Sequence, residues 1–328
     1  MRRRAFIAGL GVTASLPFAA SAQQPDRMRR VGVLMQFVES DKEGQLRARA
    51  FREGLEARGW SIGTNLLVDF RWGVGDIEWA RSTASDMMKF APEVILANGD
   101  QAGRAAQSVS RTMPIVFIGS SDPVAEGFVQ SLAHPGANMT GFSTVEPSLG
   151  PKWLELLKEI APHVTRVAVL FNPGNSGSVL LSRAAAGVAK KFGLEVVAAP
   201  VLTAEEVRAA TEMVARTPNS GFVVPPDPTI LGHRKLIVEL AGGYRLPAVY
   251  ALRSFVVEGG LISYGINIPE LFRQAAGYVD RILRGDKPED LPVQGPTKFE
   301  LLINLKTAKG LGVEVPPTLL ARADEVIE

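Results

Sequence analysis

Three apolar runs of this chain occur twice, in the same order and at nearly constant separation. Arg166-Val167-Ala168-Val169-Leu170-Phe171 repeats Arg30-Val31-Gly32-Val33-Leu34-Met35 after 136 residues, and Leu246-Pro247-Ala248-Val249-Tyr250 repeats Met113-Pro114-Ile115-Val116-Phe117 after 133. Between them, residues 220–224 with the turn Pro225-Pro226-Asp227-Pro228 stand where 94–97 with Asn98-Gly99-Asp100 stand in the first half. One such match means little, because apolar strands resemble one another. Three in the same order predict two lobes of like topology.

Apolar β-branched runs alternate with amphipathic stretches, the pattern of an α/β fold with a largely parallel sheet. Strands are expected at 31–35, 66–72, 94–97 and 139–142. Helices are expected at 42–58, with Leu46, Ala50, Phe51 and Leu55 on one face and Gly59 closing it, at 76–90 and at 101–111. Residues 141–151 read as a crossover between the halves. A second crossover follows Gly259-Gly260-Leu261-Ile262-Ser263-Tyr264-Gly265, before a helix at 269–283, a Pro-rich return at 287–296 and a last strand at 299–304. The fold expected is α/β: two doubly wound lobes with parallel sheets joined by a multi-strand hinge. The first lobe takes 29–143 plus about 266–292, and the second takes 144–265 plus about 293–328. Lobes joined by more than one crossover open and close about a hinge.

Pro114 to Val124 is the most informative local stretch. Its first half reads as a buried parallel strand, Gly119-Ser120-Ser121 as a small-residue turn, and Asp122-Pro123 as the N-cap and first residue of a helix. A helix starting there points free amides and its positive dipole end out of the sheet's carboxyl edge, where small anionic or zwitterionic ligands bind. The same motif also suits a helix start with no ligand.

Arg2, Arg3 and Arg4 precede a mostly apolar stretch from Ala5 to Ala20, and Ala20-Ser21-Ala22 has the small-x-small pattern of a signal-peptidase site. Residues 1–22 are therefore expected to be an export leader cleaved after Ala22, by the twin-arginine route or by Sec, which gives a periplasmic protein. Cleavage removes three of 36 basic residues and none of 34 acidic ones, so the net charge falls from +2 to −1. That balance speaks against a nucleic-acid partner. The chain has no cysteine, so its core rather than disulfides must hold it.

His134, His163 and His233 have no metal-ligand spacing, and neither a Gly-x-Ser-x-Gly elbow nor a Walker A loop is present. Gly73-Val74-Gly75 lacks the third glycine of a dinucleotide fingerprint. No metal site and no cofactor are expected. Phe37, Trp72, Phe142, Tyr250 and Tyr264 fall near strand ends and suit either a stacking pocket or packing beneath loops. Asp100, Asp122 and Asp227 fall just beyond strand ends, where each suits a cap or an acceptor for a ligand ammonium.

The chain resembles the solute-binding proteins of ABC transporters, in the type I periplasmic-binding family that includes tryptophan- and tyrosine-type receptors. The resemblance runs over nearly all of the chain beyond the leader. It is carried by Ala22-Gln23-Gln24, Ile115-Val116-Phe117 with Asp122-Pro123-Val124, Gly136-Ala137-Asn138-Met139-Thr140-Gly141, and Pro151-Lys152-Trp153-Leu154-Glu155-Leu156-Leu157. The segments 259–265, 296–300 and 303–309 carry it near the end. It implies a clamshell that closes on a small molecule, an aromatic or related amino acid, and then docks on a membrane permease. It also implies cleft loops holding Phe37, Asn98, Asp100, Gly119, Ser120, Ser121, Asp122, Asn172, Asp227, Tyr250 and Tyr264. For an amino acid, the amides and hydroxyls of Gly119, Ser120 and Ser121 are expected to take the carboxylate. Asp227, or else Asp100, takes the ammonium, and Phe37, Tyr250 and Tyr264 enclose the side chain. A secreted hydrolase using the same cleft is the alternative, because fold does not fix function.

Overall fold

A parallel strand covered on both faces must be apolar in both of its alternating residue sets, and the first sheet meets that condition. β1 (Arg29–Met35), β2 (Leu66–Trp72), β3 (Val94–Asn98), β4 (Ile115–Ser120) and β5 (Met139–Ser143) are all parallel, in the order β2-β1-β3-β4-β5. Val31, Val33, Met35, Leu96, Val116 and Ile118 share one core with α1 (Lys42–Glu56). Leu34, Ile95, Ala97, Ile115 and Phe117 share another, on the side of α2 (Ile77–Met87) and α3 (Asp100–Val109). This computed structural model describes residues 28–73, 77–144 and 146–328. The leader with its cleavage site, Val74, Gly75 and the helix start expected at Asp76 lie outside the described residues.

The second half begins with α4 (Leu149–Ile160) and continues through β6 (Arg166–Phe171), α5 (Ser176–Val188), β7 (Glu195–Pro200), α6 (Ala204–Ala215) and β8 (Ser220–Val224). There follow α7 (Pro228–Gly232), α8 (Arg234–Gly243), β9 (Ala248–Tyr250), α9 (Arg253–Val257), β10 (Ile262–Ile266) and α10 (Ile268–Leu283). The chain closes with β11 (Phe299–Asn304), α11 (Leu305–Leu311), α12 (Pro317–Leu320) and β12 (Glu325–Ile327). The second sheet runs β12-β11-β10-β9-β8-β6-β7. Read from its β7 edge, β7-β6-β8-β9-β10 copies β2-β1-β3-β4-β5 strand for strand, which is the duplication expected from the repeated runs.

Each half lends a helix to the other. α4 leaves β5 of the first sheet and packs on α5, β8 and β9 of the second; α10 leaves β10 of the second sheet and packs on α1, β3, β4 and β5 of the first. The α1–α10 contact is close because Gly54 leaves room: a Cβ there would lie 2.8 Å from the Ala276 Cβ. Trp153 of α4 is fully buried, and its indole N–H donates to the Tyr264 carbonyl of β10 at 2.6 Å.

After α10 the chain returns through Gln294, whose backbone exchanges hydrogen bonds with Gly141 and Ser143 at 2.9 Å each. It re-enters the second lobe beside the end of β10, with Ile266 opposite Phe299. Entering at that end forces β11 to run antiparallel to β10, so the second sheet departs from a wholly parallel one at β11 and β12.

The helix expected at Asp122-Pro123 does not form. Asp122 Oδ1 accepts the Ala125 N–H at 3.0 Å and the Asp122 carbonyl accepts that of Glu126 at 2.9 Å, but the turn stops at Gly127, whose φ is +70°. Phe128 and Val129 are then drawn into the core, with Phe128 5.5 Å from the Phe117 ring. Burying those two side chains wins over continuing an exposed helix.

Candidate functional site

Because both sheets are parallel where they face each other, the carboxyl ends of their strands meet across one cleft, the usual ligand position in doubly wound folds. Gln36 and Phe37 follow β1, Asn98 ends β3, and Gly119 and Ser121 lie at the end of β4. Opposite them stand Asn172 and Asn175 after β6, Asp227 after β8, and Ala251 and Leu252 after β9. Gly99 caps α3 at φ +90°, and a Cβ there would sit 2.2 Å from the Gln36 amide, so glycine lets Gln36 lie against that helix start.

The cleft holds two adjoining cavities that share Gln36, Phe37, Gly119, Ser121, Asn175 and Asp227 in their walls. The inner one, about 90 Å³, is lined mostly by apolar side chains, among them Ile118, Leu149, Leu181, Leu252, Ile266 and Ile268. The outer one, about 380 Å³, has polar and apolar wall in nearly equal parts, the polar part including Asp100, Gln101, Arg104, Asn172 and Thr229.

Two carboxyl groups line the outer cavity from opposite lobes. Asp227 caps α7: its Oδ1 accepts the Ile230 N–H at 3.0 Å and the Asn172 amide at 3.4 Å, while its buried Oδ2 has no partner among the described residues. Asp100 Oδ2 accepts the Ser121 N–H at 3.4 Å, and among the described residues its Oδ1 is likewise without a partner. Burial raises the pKa of both above the ordinary aspartate value; the Ile230 amide only partly offsets this at Asp227.

Seven of the expected residues line the cleft: Phe37, Asn98, Asp100, Gly119, Ser121, Asn172 and Asp227. Four do not. Ser120 is fully buried between Gly119 and Ser121, as strand alternation requires. Asp122 is exposed and caps its own turn. Tyr250 is 1% exposed, stacked on Phe255 at 4.8 Å, and its hydroxyl pKa is raised by burial. Tyr264 stacks on Phe299 of β11 at 6.0 Å. The expected aromatic enclosure therefore shrinks to Phe37, since the cleft positions after β9 are the aliphatic Ala251 and Leu252. Trp72 and Phe142 are also packed on neighbouring rings, Phe70 and Tyr278.

Sequence reasoning missed Arg47. It lies on the buried stripe of α1 with Ala50, Phe51, Gly54 and Leu55, and a cation at such a position was the available signal. It is 8% exposed and lines the inner cavity. Its guanidinium lies 4.6 Å from the Phe37 ring centroid and 3.7 Å from the Glu43 carboxylate, and its Nε has no acceptor among the described residues. Burial lowers its pKa, with Glu43 and Asp41 opposing that shift.

The lobes also touch each other directly. The Ser121 hydroxyl donates to Asn175 Oδ1 at 3.2 Å, and Arg234 of α8 meets Asp41, the cap of α1, at 3.3 Å.

The model of the ABC transporter substrate binding protein family matches residues 30–327. The chain belongs to that family. A tyrosine-binding protein of Clostridioides difficile is 28% identical over 267 residues, 81% of this chain and 76% of that protein. An ABC domain from Streptococcus pneumoniae in complex with L-Trp is 25% identical, with a TM-score of 0.83 over 92% of this chain and all of the other. The ligand-free, open structure of a substrate-binding protein with adhesive properties from Clostridium difficile is 27% identical, with a TM-score of 0.72 over 92% of this chain and 99% of the other. This ABC transporter substrate-binding protein thus follows the ligand-bound structure more closely than the open one, in keeping with its interlobe contacts. Members of the family are extracytoplasmic proteins that take a small-molecule ligand and work with a membrane permease.

Proposed function

We propose that this protein binds an α-amino acid between its lobes and hands it unchanged to its permease. The observation that carries this reading is the partnerless, buried Oδ2 of Asp227 in the wall shared by both cavities. A buried carboxylate oxygen without a donor is costly, and a ligand ammonium is the group that relieves it. Asp100 reaches the same space from the other lobe, so one ammonium binds best when the lobes are shut. The outer cavity, about 380 Å³, has room for a large side chain, and the ligands of two relatives, tyrosine and L-Trp, are of that size. The hydrolase reading gains nothing from a family of substrate-binding proteins. Export, with removal of residues 1–22, completes the proposal; the mature protein should begin at Gln23 on N-terminal sequencing.

The test is a thermal-shift screen of the twenty L-amino acids followed by calorimetry and mass spectrometry of the incubated compound. A true ligand at 100 times its Kd adds about 2.7 kcal/mol to stability, a shift of a few degrees in Tm for a chain of this size. Recovery of the compound unaltered is expected. A screen with no shift, or a converted compound, overturns the reading.

A further inference from the structure

The inner end of the cleft is chemically opposite to its outer part. Asp227 and Asp100 offer partnerless carboxylate oxygens, whereas the inner cavity holds a buried cation with a partnerless N–H at Arg47. Burying a guanidinium is expensive unless it is paired with good geometry. A single Glu43 contact at 3.7 Å and the face of Phe37 leave Nε with its hydrogen unused.

Volume decides which part of a ligand goes inward. The inner cavity, about 90 Å³, is smaller than an engineered apolar cavity of roughly 150 Å³ that takes benzene. Its size suits a carboxylate group better than an aromatic side chain. The donors expected for a carboxylate from the sequence are poorer. The Ser121 N–H faces Asp100 Oδ2 at 3.4 Å, the Ser121 hydroxyl is given to Asn175, and no helix begins at Asp122. The start of α3 carries Asp100 itself, which repels an anion.

Resting on the amino-acid reading above, we infer that Arg47 receives the ligand's carboxylate, which points into the inner cavity while the ammonium meets Asp227 and the side chain occupies the outer cavity. The apolar lining around Arg47 strengthens such a charge pair by excluding water. The ligand class this selects is the free α-amino acid, against its amide, its ester or a plain amine.

The test compares the tightest of the twenty L-amino acids with its own amide, by calorimetry, on the full mature protein and on Arg47→Met and Arg47→Lys, with melting curves to confirm that each folds. The wild type should prefer the acid by about 30-fold or more. Arg47→Met should lose that preference: the acid weakens by about 30-fold and the amide by less than about threefold. Arg47→Lys should keep part of it, because a charge remains but the forked geometry does not, and it carries the same comparison if Arg47→Met fails to fold. An Arg47→Met protein that still prefers the acid by the wild-type ratio overturns the inference, as does a wild type indifferent between acid and amide. Both outcomes leave the receptor reading standing. A wild type that binds none of the twenty overturns that reading, and this inference with it.

Discussion

The Ser121 hydroxyl of one lobe and the Asn175 side-chain oxygen of the other are 3.2 Å apart, and that same oxygen caps α5 by accepting the Ser178 N–H at 3.0 Å. One asparagine therefore both starts a helix and closes the cleft. Ser121→Ala removes the closing bond and leaves the cap. Since a neutral hydrogen bond nets about 1 kcal/mol, ligand affinity should fall by roughly three- to tenfold with little change in Tm. Asn175→Ala should lose the same affinity and, in addition, about 1 kcal/mol of stability. Calorimetry and urea titration separate the two, and an unchanged Kd for Ser121→Ala would show that the bond plays no part in the liganded state.

Asp227 combines a structural and a binding role in its two oxygens. Asp227→Asn keeps an oxygen to cap Ile230 while removing a buried charge that lacks a partner. The ligand-free protein should therefore melt higher at neutral pH, whereas binding should weaken by roughly 2–5 kcal/mol. A variant that binds like the wild type would move the ammonium site elsewhere in the cleft.

How much of this was legible in the sequence depended on whether a local pattern or a distant neighbour decided the outcome. The spans of β2, β6, β8 and β11 follow from apolar runs bounded by turn residues, and the duplicated topology follows from the spacing of the three repeated pairs, β1/β6, β3/β8 and β4/β9. Asp100, Asn172 and Asp227 line the cleft because strand ends in this fold converge there, whatever the side chains. Tyr250 and Tyr264 sit near strand ends too, but the rings that bury them, Phe255 and Phe299, arrive from α9 and from a strand that returns after α10. Whether Asp122 started a helix turned on Phe128 meeting Phe117, a tertiary contact invisible to capping rules. Arg47 is the instructive omission, because a cation on an apolar helical stripe is readable in advance as a site residue.

Gly141 of β5 and Gly265 of β10 both lie near the end of the strand from which the chain crosses to the other lobe. A Cβ on Gly265 would lie 1.8 Å from the Ala251 carbonyl oxygen, and one on Gly141 would lie 2.0 Å from that of Phe117. Both obstacles are backbone, so no side-chain rotation relieves them. Gly265→Ala should cost about 3 kcal/mol or more, beyond the usual cost of overpacking. Urea midpoints measure it, and a wild-type midpoint for Gly265→Ala would contradict the close approach of β10 to the residue following β9.

The raised pKa values of Asp227 and Asp100 make binding depend on pH, and the sign can be worked out for each state. In the ligand-free protein burial favours the protonated carboxyls, so their contribution to stability is present below the ordinary aspartate value of about 3.9 and is lost as pH rises through the raised values. A bound ammonium favours the ionised carboxyls instead. Near the raised pKa values, ligand binding must therefore expel protons, and affinity should rise with pH and then level off once both groups are ionised in the free protein. Acidification from pH 7.5 should begin to weaken binding above the ordinary carboxyl range. Calorimetry in buffers of different ionisation heat counts the protons directly. Release should grow on acidification toward the raised values and should be smaller in Asp227→Asn. Proton uptake on binding in that window, or a release unchanged by Asp227→Asn, would mean that the ammonium does not meet Asp227.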